Sequence, residues 1–268
     1  MIIVVKVGGD LLVNGLPGGL IEELETLNRE HRVILVHGGG DIVTDISVKL
    51  GHEPKFIMSP RGFKSRYTDK ETAEIYTMVM AGRINKQIVS ALQRRGIAAV
   101  GLSGLDGGLI RAKRKKQLII VDERGRKKLI DGGYTGKVED VDVRLLHLLI
   151  ENGYMPILSS IAMGEEAEPL NVDGDRTAAS VASAINADRL ILLTDVDCVY
   201  IDGKPINMLH VSEAREIVEK VGVGMITKLY AAVEAVEGHV NEVVIASGLG
   251  ESPVTSALEH NRGTVIRG

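Results

Sequence analysis

Glycine-rich turns and lysines are the residues of this sequence whose types and spacing could do chemistry on an anion. Four apolar residues, Val33–Val36, lead through His37 into three glycines, and a segment with helical spacing of apolar residues follows. A buried strand, a glycine turn and a helix N-terminus together direct backbone N–H groups at a negatively charged group. Glycines also let a phosphate or carboxylate approach the main chain closely. This turn is therefore a candidate anion site, and a merely tight turn is the alternative.

Lys6 is the clearest single candidate. It lies inside the apolar run Ile2–Val7, and Gly8 and Gly9 follow it. Burying an ammonium group is costly unless the group meets an anion or a carboxylate. The alternative is a strand-end lysine whose charged head reaches water. Since the glycine triplet lacks the Gly-Lys-Ser/Thr ending of a P-loop, a phosphate bound there would need lysines from elsewhere in the chain.

Polar groups follow several predicted strands at their carboxyl ends, where open α/β sheets bind ligands. One such group means little, but their number indicates a shared anion-binding crevice. The six segments are Lys6–Gly9, His37–Gly40, Ser103–Gly104, Ser159–Ser160, Thr194–Asp195 and Ser247–Gly248.

Three further segments contain candidate charged groups. In Asn171–Asp175, which precedes a predicted helix, either aspartate could cap the helix, and the pair could bind Mg²⁺ or orient a lysine. Arg66 offers a planar fork suited to a carboxylate, although it could equally pair with Asp69. Lys228 follows a glycine loop at a predicted helix start, where a solvated lysine is the alternative.

Composition excludes several classes of protein. The chain has 268 residues, of which 44% are hydrophobic, 25% charged and 3% aromatic, and its net charge is -4. Nothing in that balance favours nucleic acid or a membrane surface as a partner. The single cysteine, Cys198, excludes an internal disulfide. No apolar run could span a bilayer, and we recognise no signal peptide, so we predict a cytoplasmic location.

Strands that alternate with helices predict a mainly parallel sheet covered on both faces, an α/β architecture. We expect a long helix over 71–95 and irregular structure over 53–69. Between residues 109 and 138 the pattern changes to short antiparallel strands with turns. The basic run Arg111–Lys116 in this excursion is either a solvated hairpin edge or a docking patch for an acidic partner.

Several motifs together resemble the amino acid kinase family, and their order and spacing resemble its acetylglutamate kinase branch. Within that branch the chain resembles the LysW-dependent kinases, which phosphorylate the side-chain carboxylate of aminoadipate or glutamate attached to the small acidic carrier protein LysW. The family motifs are Lys6–Gly9, His37–Gly40, Asn171–Asp175, Leu193–Val196 and Gly224–Lys228; the segments that favour the LysW-dependent group are Ser65–Asp69, Gly101–Gly107 and Gly133–Glu139.

The resemblance implies an open αβα sandwich, carbamate kinase-like, in which residues 1–175 bind the acceptor and residues 176–268 bind ATP. It implies that Lys6 and Lys228 stabilise the transferring phosphoryl group and that Asp175 holds both lysines. The implied acceptor-binding residues are Gly39, Gly40, Arg66 and Asn171. The implied nucleotide-binding residues are Gly8, Gly9, Thr194, Asp195, Val196, Asp197, Cys198, Tyr200, Gly222 and Gly224, with Cys198 standing where the family commonly has glycine.

The resemblance also implies cofactors and partners. ATP would bring Mg²⁺ through its phosphates, with no metal site made by the protein itself. LysW would dock on basic residues in and near the antiparallel excursion. The expected docking residues are Lys64, Arg111, Lys113, Arg114, Lys115 and Lys116. We expect a homodimer without arginine feedback, since no helix precedes the first strand.

Three alternatives remain open at this point. A kinase of free acetylglutamate would perform the same chemistry on a small acceptor. Uridylate kinase shares the fold, but its acceptor is a phosphate, for which the segment around Arg66 is unsuited. An ATP-binding regulator without activity is disfavoured because both lysines and Asp175 are present.

Overall fold

Strands and helices alternate along the computed structural model, which describes residues 1–60, 62–218, 220–222 and 224–268. The strands are β1 (Ile2–Val7), β2 (Arg32–His37), β3 (Lys55–Met58), β4 (Lys64–Tyr67), β5 (Ala99–Ser103), β6 (Ile110–Arg114), β7 (Gln117–Val121), β8 (Lys127–Asp131), β9 (Gly136–Val141), β10 (Met155–Ser159), β11 (Ile161–Met163), β12 (Pro169–Asn171), β13 (Arg189–Thr194), β14 (Val199–Ile201), β15 (Lys204–Ile206), β16 (Met208–His210), β17 (Glu242–Ser247) and β18 (Thr264–Arg267). The α-helices are α1 (Gly18–Glu30), α2 (Gly40–Lys49), α3 (Lys70–Thr77), α4 (Asn85–Gln93), α5 (Arg144–Glu151), α6 (Gly174–Ala184), α7 (Val211–Ile217), α8 (Met225–Glu237) and α9 (Pro253–Leu258).

The central sheet has eight strands in the order β16-β18-β17-β13-β1-β2-β10-β5. Neighbours from β17 to β5 pair in parallel, and β18 pairs antiparallel with β17. The apolar runs of β1, β2 and β13 lie in the middle of this sheet, where both faces are covered. Their continuous apolar character therefore follows from burial on both sides.

Helices cover each face of this sheet and build one aliphatic core per face. Residues of α5, α6, α7 and α8 pack with one set of strand side chains, which includes Val4, Ile34 and Leu190. Residues of α1, α2, α3, α4 and α9 pack with the alternate set, which includes Ile3 and Leu35. Because successive strand side chains point to opposite faces, each central strand serves both cores. The arrangement confirms the predicted αβα sandwich around a mainly parallel sheet.

A second sheet, in the order β12-β11-β6-β9, contains part of the antiparallel excursion, and β7 and β8 form a separate hairpin. The prediction of short antiparallel strands in this region is confirmed. The prediction of irregular structure over 53–69 is wrong, because β3 and β4 pair as an antiparallel hairpin there. Alternation is weak in these short, mostly exposed strands, so the sequence carried little signal for them.

The long helix expected over 71–95 is present but interrupted. A π-helical segment, Met78–Ile84, joins α3 to α4. Such segments are rare and recur at functional sites. This one places Met80 and Ile84 against Gly39, whose φ is +151°. In the described ranges, no helix has both the length and the apolar character needed to cross a membrane.

Candidate functional site

Two lysines from opposite ends of the chain meet at one carboxylate. Lys6 near the end of β1 places its Nζ 2.7 Å from Asp175 Oδ1, and Lys228 in the first turn of α8 places its Nζ 3.3 Å from Asp175 Oδ2. Asp175 lies in the first turn of α6. The side chains of Lys6 and Asp175 are each 7% exposed, and that of Lys228 is 13% exposed. The structure thus brings together the three residues expected to be catalytic.

Mutual attraction keeps this trio charged despite burial. Burial opposes the charge of Lys6, but the nearby Asp175 carboxylate outweighs it, so the pKa of Lys6 is raised. Burial likewise opposes ionisation of Asp175, yet Lys6 and Lys228 together lower the pKa of that carboxyl group. At neutral pH the trio has two positive charges and one negative charge, which leaves a net positive charge to meet an anion.

Two glycine turns lie against each other beside these lysines. A side chain on Gly9 would place its Cβ 2.9 Å from the nitrogen of Gly39, so only glycine permits this close approach. Gly38 N–H donates to Val7 O, which ties the second turn to β1. Within the described residues, the N–H groups of Gly9, Gly39 and Gly40 have no hydrogen-bond acceptor. Three free donors next to a cationic pair make an anion-binding surface.

Arg66 on β4 reaches the same glycine turn. Its Nη2 donates to Gly40 O at 2.8 Å and to Thr44 Oγ1 at 2.7 Å. Arg66 is buried, and its Nη1 has no partner among the described residues. Asp69, the alternative partner of Arg66, accepts instead from Thr72 N and caps α3. An anchored guanidinium with one free edge is suited to a carboxylate ligand.

Asn171 and the two aspartates after it have separate contacts. Asn171 Nδ2 donates to Thr68 Oγ1 at 3.0 Å, which places this amide next to the Arg66 strand. Asp173 caps α6 by accepting from Arg176 N, whereas Asp175 contacts both lysines. The cap and the lysine partner, which the sequence left as alternatives, are thus two different residues.

A pocket of about 390 Å³ opens on the other side of Lys228. Seven of the ten residues expected at the nucleotide line it, namely Thr194, Asp195, Val196, Cys198, Tyr200, Gly222 and Gly224. Its full lining is Asp10, Thr194, Asp195, Val196, Cys198, Tyr200, Val221, Gly222, Gly224, Met225 and Lys228. Val223, in the expected glycine loop, lies outside the described residues. Gly8, Gly9 and Asp197 do not line the pocket.

The sequence analysis did not select Asp10, Val221 or Met225, although Asp10 directly follows Gly9 and the other two flank the loop glycines. Partial desolvation and the nearby carboxyl groups of Asp41 and Asp195 raise the pKa of Asp10, although its side chain is exposed. A carboxyl group after a glycine turn at a strand end was the available signal for Asp10. Among the described residues, no group of three His, Cys, Asp or Glu side chains could hold a metal ion.

The six basic residues expected to dock a carrier have different environments. Arg114 Nε donates to Gly133 O, and its guanidinium lies 4.1 Å from the centre of the Tyr134 ring. The side chain of Lys115 is exposed overall, but partial desolvation of its ammonium group, with Arg176 nearby, lowers its pKa. Lys64 Nζ lies 5.1 Å from the centre of the Phe56 ring. Arg111, Lys113 and Lys116 are exposed, as are Lys64 and Lys115, whereas Arg114 is half-buried.

Comparisons with known proteins show which family the chain resembles. The model of the amino acid kinase family matches residues 1–247. A putative [LysW]-aminoadipate/[LysW]-glutamate kinase of Cenarchaeum symbiosum is 52% identical over 264 residues, which cover 98% of each chain. The [LysW]-aminoadipate/[LysW]-glutamate kinase of Saccharolobus solfataricus is 49% identical over 265 residues, again 98% of each chain.

Among solved structures, a carbamate kinase from Giardia lamblia bound to AMP-PNP superimposes with a TM-score of 0.70. It is 15% identical to this chain, and the match covers 99% of this chain and 98% of that one. At that identity the likeness supports the fold alone.

Proposed function

The chain belongs to the amino acid kinase family, and we propose that it transfers the γ-phosphoryl group of ATP to the side-chain carboxylate of aminoadipate or glutamate carried by LysW. The product would be an acyl phosphate. The observation that carries this proposal is the pair of lysines on one buried carboxylate, next to three free backbone N–H groups.

The chemistry needs charge stabilisation and positioning rather than a general base. A carboxylate acceptor is already ionised at neutral pH, because its pKa lies near 4. The difficulty is to bring this anion against the anionic phosphate and to stabilise charge on the equatorial oxygens during transfer. We assign that stabilisation to Lys6 and Lys228, and the backbone N–H groups of Gly9, Gly39 and Gly40 contribute to it. Asp175 holds the two ammonium groups in place.

The two substrates would approach from opposite halves of the sheet. We propose that residues 1–175 hold the acceptor, because Gly40, Arg66 and Asn171 all lie there. Residues 176–268 would hold ATP, because they contribute ten of the eleven lining residues of the 390 Å³ pocket. Mg²⁺, bound through the phosphates of ATP, would neutralise part of their negative charge.

The acceptor's amino-acid end fits the group around Arg66. Its α-carboxylate would meet the free Nη1 edge of Arg66, and Asn171 would bind beside it. Because the carrier occupies the amino group of the substrate, the site needs no carboxylate to receive an ammonium ion. One methylene separates glutamate from aminoadipate and is worth only about 1–3 kcal/mol in an apolar pocket, so either could be carried to the site.

The function is tested by comparing acceptors. We expect hydroxylamine-trappable acyl phosphate with ATP and LysW-bound aminoadipate or glutamate, and none with free N-acetylglutamate at equal concentration. Equal turnover of free N-acetylglutamate would instead identify an acetylglutamate kinase. ATP binding without acyl phosphate from any of these acceptors would identify a regulator without activity.

Docking of the acidic carrier is the second part of the proposal. We expect Lys113→Glu with Lys116→Glu to raise KM for the carrier-bound substrate about tenfold at low salt, with kcat little changed, because surface charges act mainly on association. Added salt should raise the wild-type KM and reduce the difference in KM between wild type and the double variant. KM is measured from acyl phosphate formation over a series of salt concentrations.

A matched control carries the same charge change at the other end of the sheet. Arg29 near the end of α1 and Arg32 at the start of β2 are exposed, far along the strands from the glycine turns. Arg29→Glu with Arg32→Glu should leave KM unchanged within about twofold, since screening weakens interactions beyond about 10 Å at moderate salt. An equal rise of KM in both double variants would contradict docking on the excursion.

We further infer a place in lysine biosynthesis, with glutamate as the acceptor on a parallel route to arginine, and a cytoplasmic homodimer. These inferences rest on the family resemblance. Light scattering of the purified protein at several concentrations tests the dimer, and a single monomer mass would overturn it.

A further inference from the structure

A fully buried histidine precedes the glycine turn, and the function proposed above gives it no role. His37, at the end of β2, has no exposed surface. Its Nδ1 lies 3.0 Å from Gly38 O, and its Nε2 lies 3.2 Å from Asn85 Nδ2. Ser160 Oγ donates to the main-chain oxygen of His37 at 3.0 Å. The side chain is thus held at both ring nitrogens inside the sheet.

Asn85, the first residue of α4, decides which ring nitrogen has the proton. Its Nδ2 also donates to Ile157 O at 2.9 Å and lies at a longer 3.4 Å from Leu102 O, and its Oδ1 accepts from Lys86 Nζ at 3.1 Å. These neighbours orient the amide, so Nδ2 faces His37 as a donor. Nε2 must then accept, and the proton of the neutral ring lies on Nδ1, where it is donated to Gly38 O.

The ring stays neutral in this environment. Burial lowers the pKa of His37 to about 4, and the positive charges of Lys6 and Lys86 act in the same direction, against the hydrogen bond to Gly38. Near neutral pH the imidazole therefore acts as a fixed neutral donor and does not titrate.

The carbonyl that receives this hydrogen bond belongs to the peptide between Gly38 and Gly39. The other end of that peptide is the N–H of Gly39, one of the three free donors at the anion-binding surface. A hydrogen bond to a peptide carbonyl polarises the whole amide and makes its N–H a stronger donor. The Ser160 hydroxyl acts on a different peptide, whose N–H, on Gly38, is already bonded to Val7 O.

We propose that His37 is a positioning residue for phosphoryl transfer: held by Asn85 in the Nδ1–H form, it orients the Gly38–Gly39 peptide and strengthens the Gly39 N–H that faces the transferring phosphoryl group. The inference rests on the function proposed above. It adds a buried relay, from Asn85 through His37 to Gly38, behind the glycine turn.

Two amide variants separate this role from simple packing. His37→Asn has its donor nitrogen at the δ position, within reach of Gly38 O, whereas His37→Gln has its amide one bond further out, toward Asn85. We expect His37→Asn to keep kcat within about threefold of wild type and His37→Gln to lower it about tenfold, less than the roughly 10²–10³-fold loss that removal of a donor causes. The Kd of ATP should change little in either variant. The proposal is overturned if the two variants have equal kcat, whether both stay near the wild-type value or both fall by the same factor.

A measurement on the unaltered protein decides the inference independently of activity and of variant folding. Long-range ¹H–¹⁵N NMR should show His37 with a protonated Nδ1 and an unprotonated Nε2 at pH 7. A protonated Nε2 would overturn the relay. If wild type forms no acyl phosphate but the NMR shows the Nδ1–H form, the proposed function fails while the relay stands.

Discussion

Replacing Lys6 by methionine is expected to lower kcat by roughly 10²–10³-fold, the range found when one donor to a developing anionic charge is removed. Methionine keeps the apolar stem of the buried side chain and removes the ammonium group that lies 2.7 Å from Asp175 Oδ1. Because this ammonium group would act most strongly when charge develops on the transferring phosphoryl group, kcat should fall more than the affinity for ATP. Acyl phosphate formation at saturating ATP and carrier-bound acceptor measures the effect.

A surface lysine serves as the control. Lys49 on α2 is exposed and pairs with Asp45 at 2.6 Å, so Lys49→Met removes an ammonium group of the same kind outside the site. Such exposed pairs contribute about 0.2–1 kcal/mol to stability, and we expect unchanged kcat. Near-normal turnover of Lys6→Met under these conditions would show that the assignment of Lys6 is wrong.

Replacing Asp175 by asparagine should have the largest effect on stability. The carboxylate is the shared partner of Lys6 and Lys228, and its loss leaves two cations close together with little access to water. Removing one partner of a buried ion pair lowers the free energy of unfolding by about 3–5 kcal/mol. Because Lys228 is slightly exposed, we expect a value near the lower end of this range. We also expect kcat to fall about 10²-fold, as for other small misplacements of catalytic groups. Urea unfolding of wild type and Asp175→Asn at pH 7 measures the loss of stability.

Asp173→Asn is the matched control, because Asp173 lies at the same helix start and asparagine also caps helices well. Asp173 is exposed overall, but partial desolvation of its carboxyl group and the nearby Asp175 charge raise its pKa, so removing this charge should cost little stability. Equal destabilisation by the two substitutions would contradict the assignment of Asp175 as the partner of both lysines.

The pH dependence of this effect has a definite sign. The pKa of Asp175 is lower in the folded protein than in the unfolded chain, so its contribution to stability is present above the unfolded value, near 4. That contribution is lost as pH falls through the lowered folded pKa. The difference in unfolding free energy between wild type and Asp175→Asn should therefore be constant from pH 5 to 8 and shrink below pH 4. A difference that grows as the solution is acidified would contradict this account.

Local sequence predicted those parts of the site that depend on a single segment. The apolar run around Lys6 predicted a buried strand and favoured an anionic partner for the lysine over a lysine that reaches water. The glycines at 38–40 indicated a turn open to an anion, and within the described residues the N–H groups of Gly39 and Gly40 have no acceptor. The alternation of strands and helices was sufficient for the αβα sandwich, because burial of a parallel sheet on both faces leaves its pattern in every strand.

Choices between partners required the tertiary structure. The sequence could not tell whether Arg66 pairs with Asp69, and the fold places its guanidinium on Gly40 O instead. Local residue patterns also left open which aspartate caps the helix and which contacts the lysines. The family resemblance implied Asp175 for the lysines, and the structure shows Asp173 as the cap. Asn85 showed no sign of contact with His37, 48 positions earlier in the chain.

The sequence by itself therefore determined the architecture, the buried lysine, the glycine turns and, through its motifs, the family. The family resemblance implied that Asp175 holds Lys6 and Lys228, but only the tertiary structure brings these three side chains together. Only the tertiary structure shows Asn85 against His37 behind the glycine turn. The physical reason is the distance along the chain over which each interaction acts. Strand and turn formation depends on neighbouring residues. The partner of a buried polar group instead depends on which distant segments are packed within about 3 Å of it.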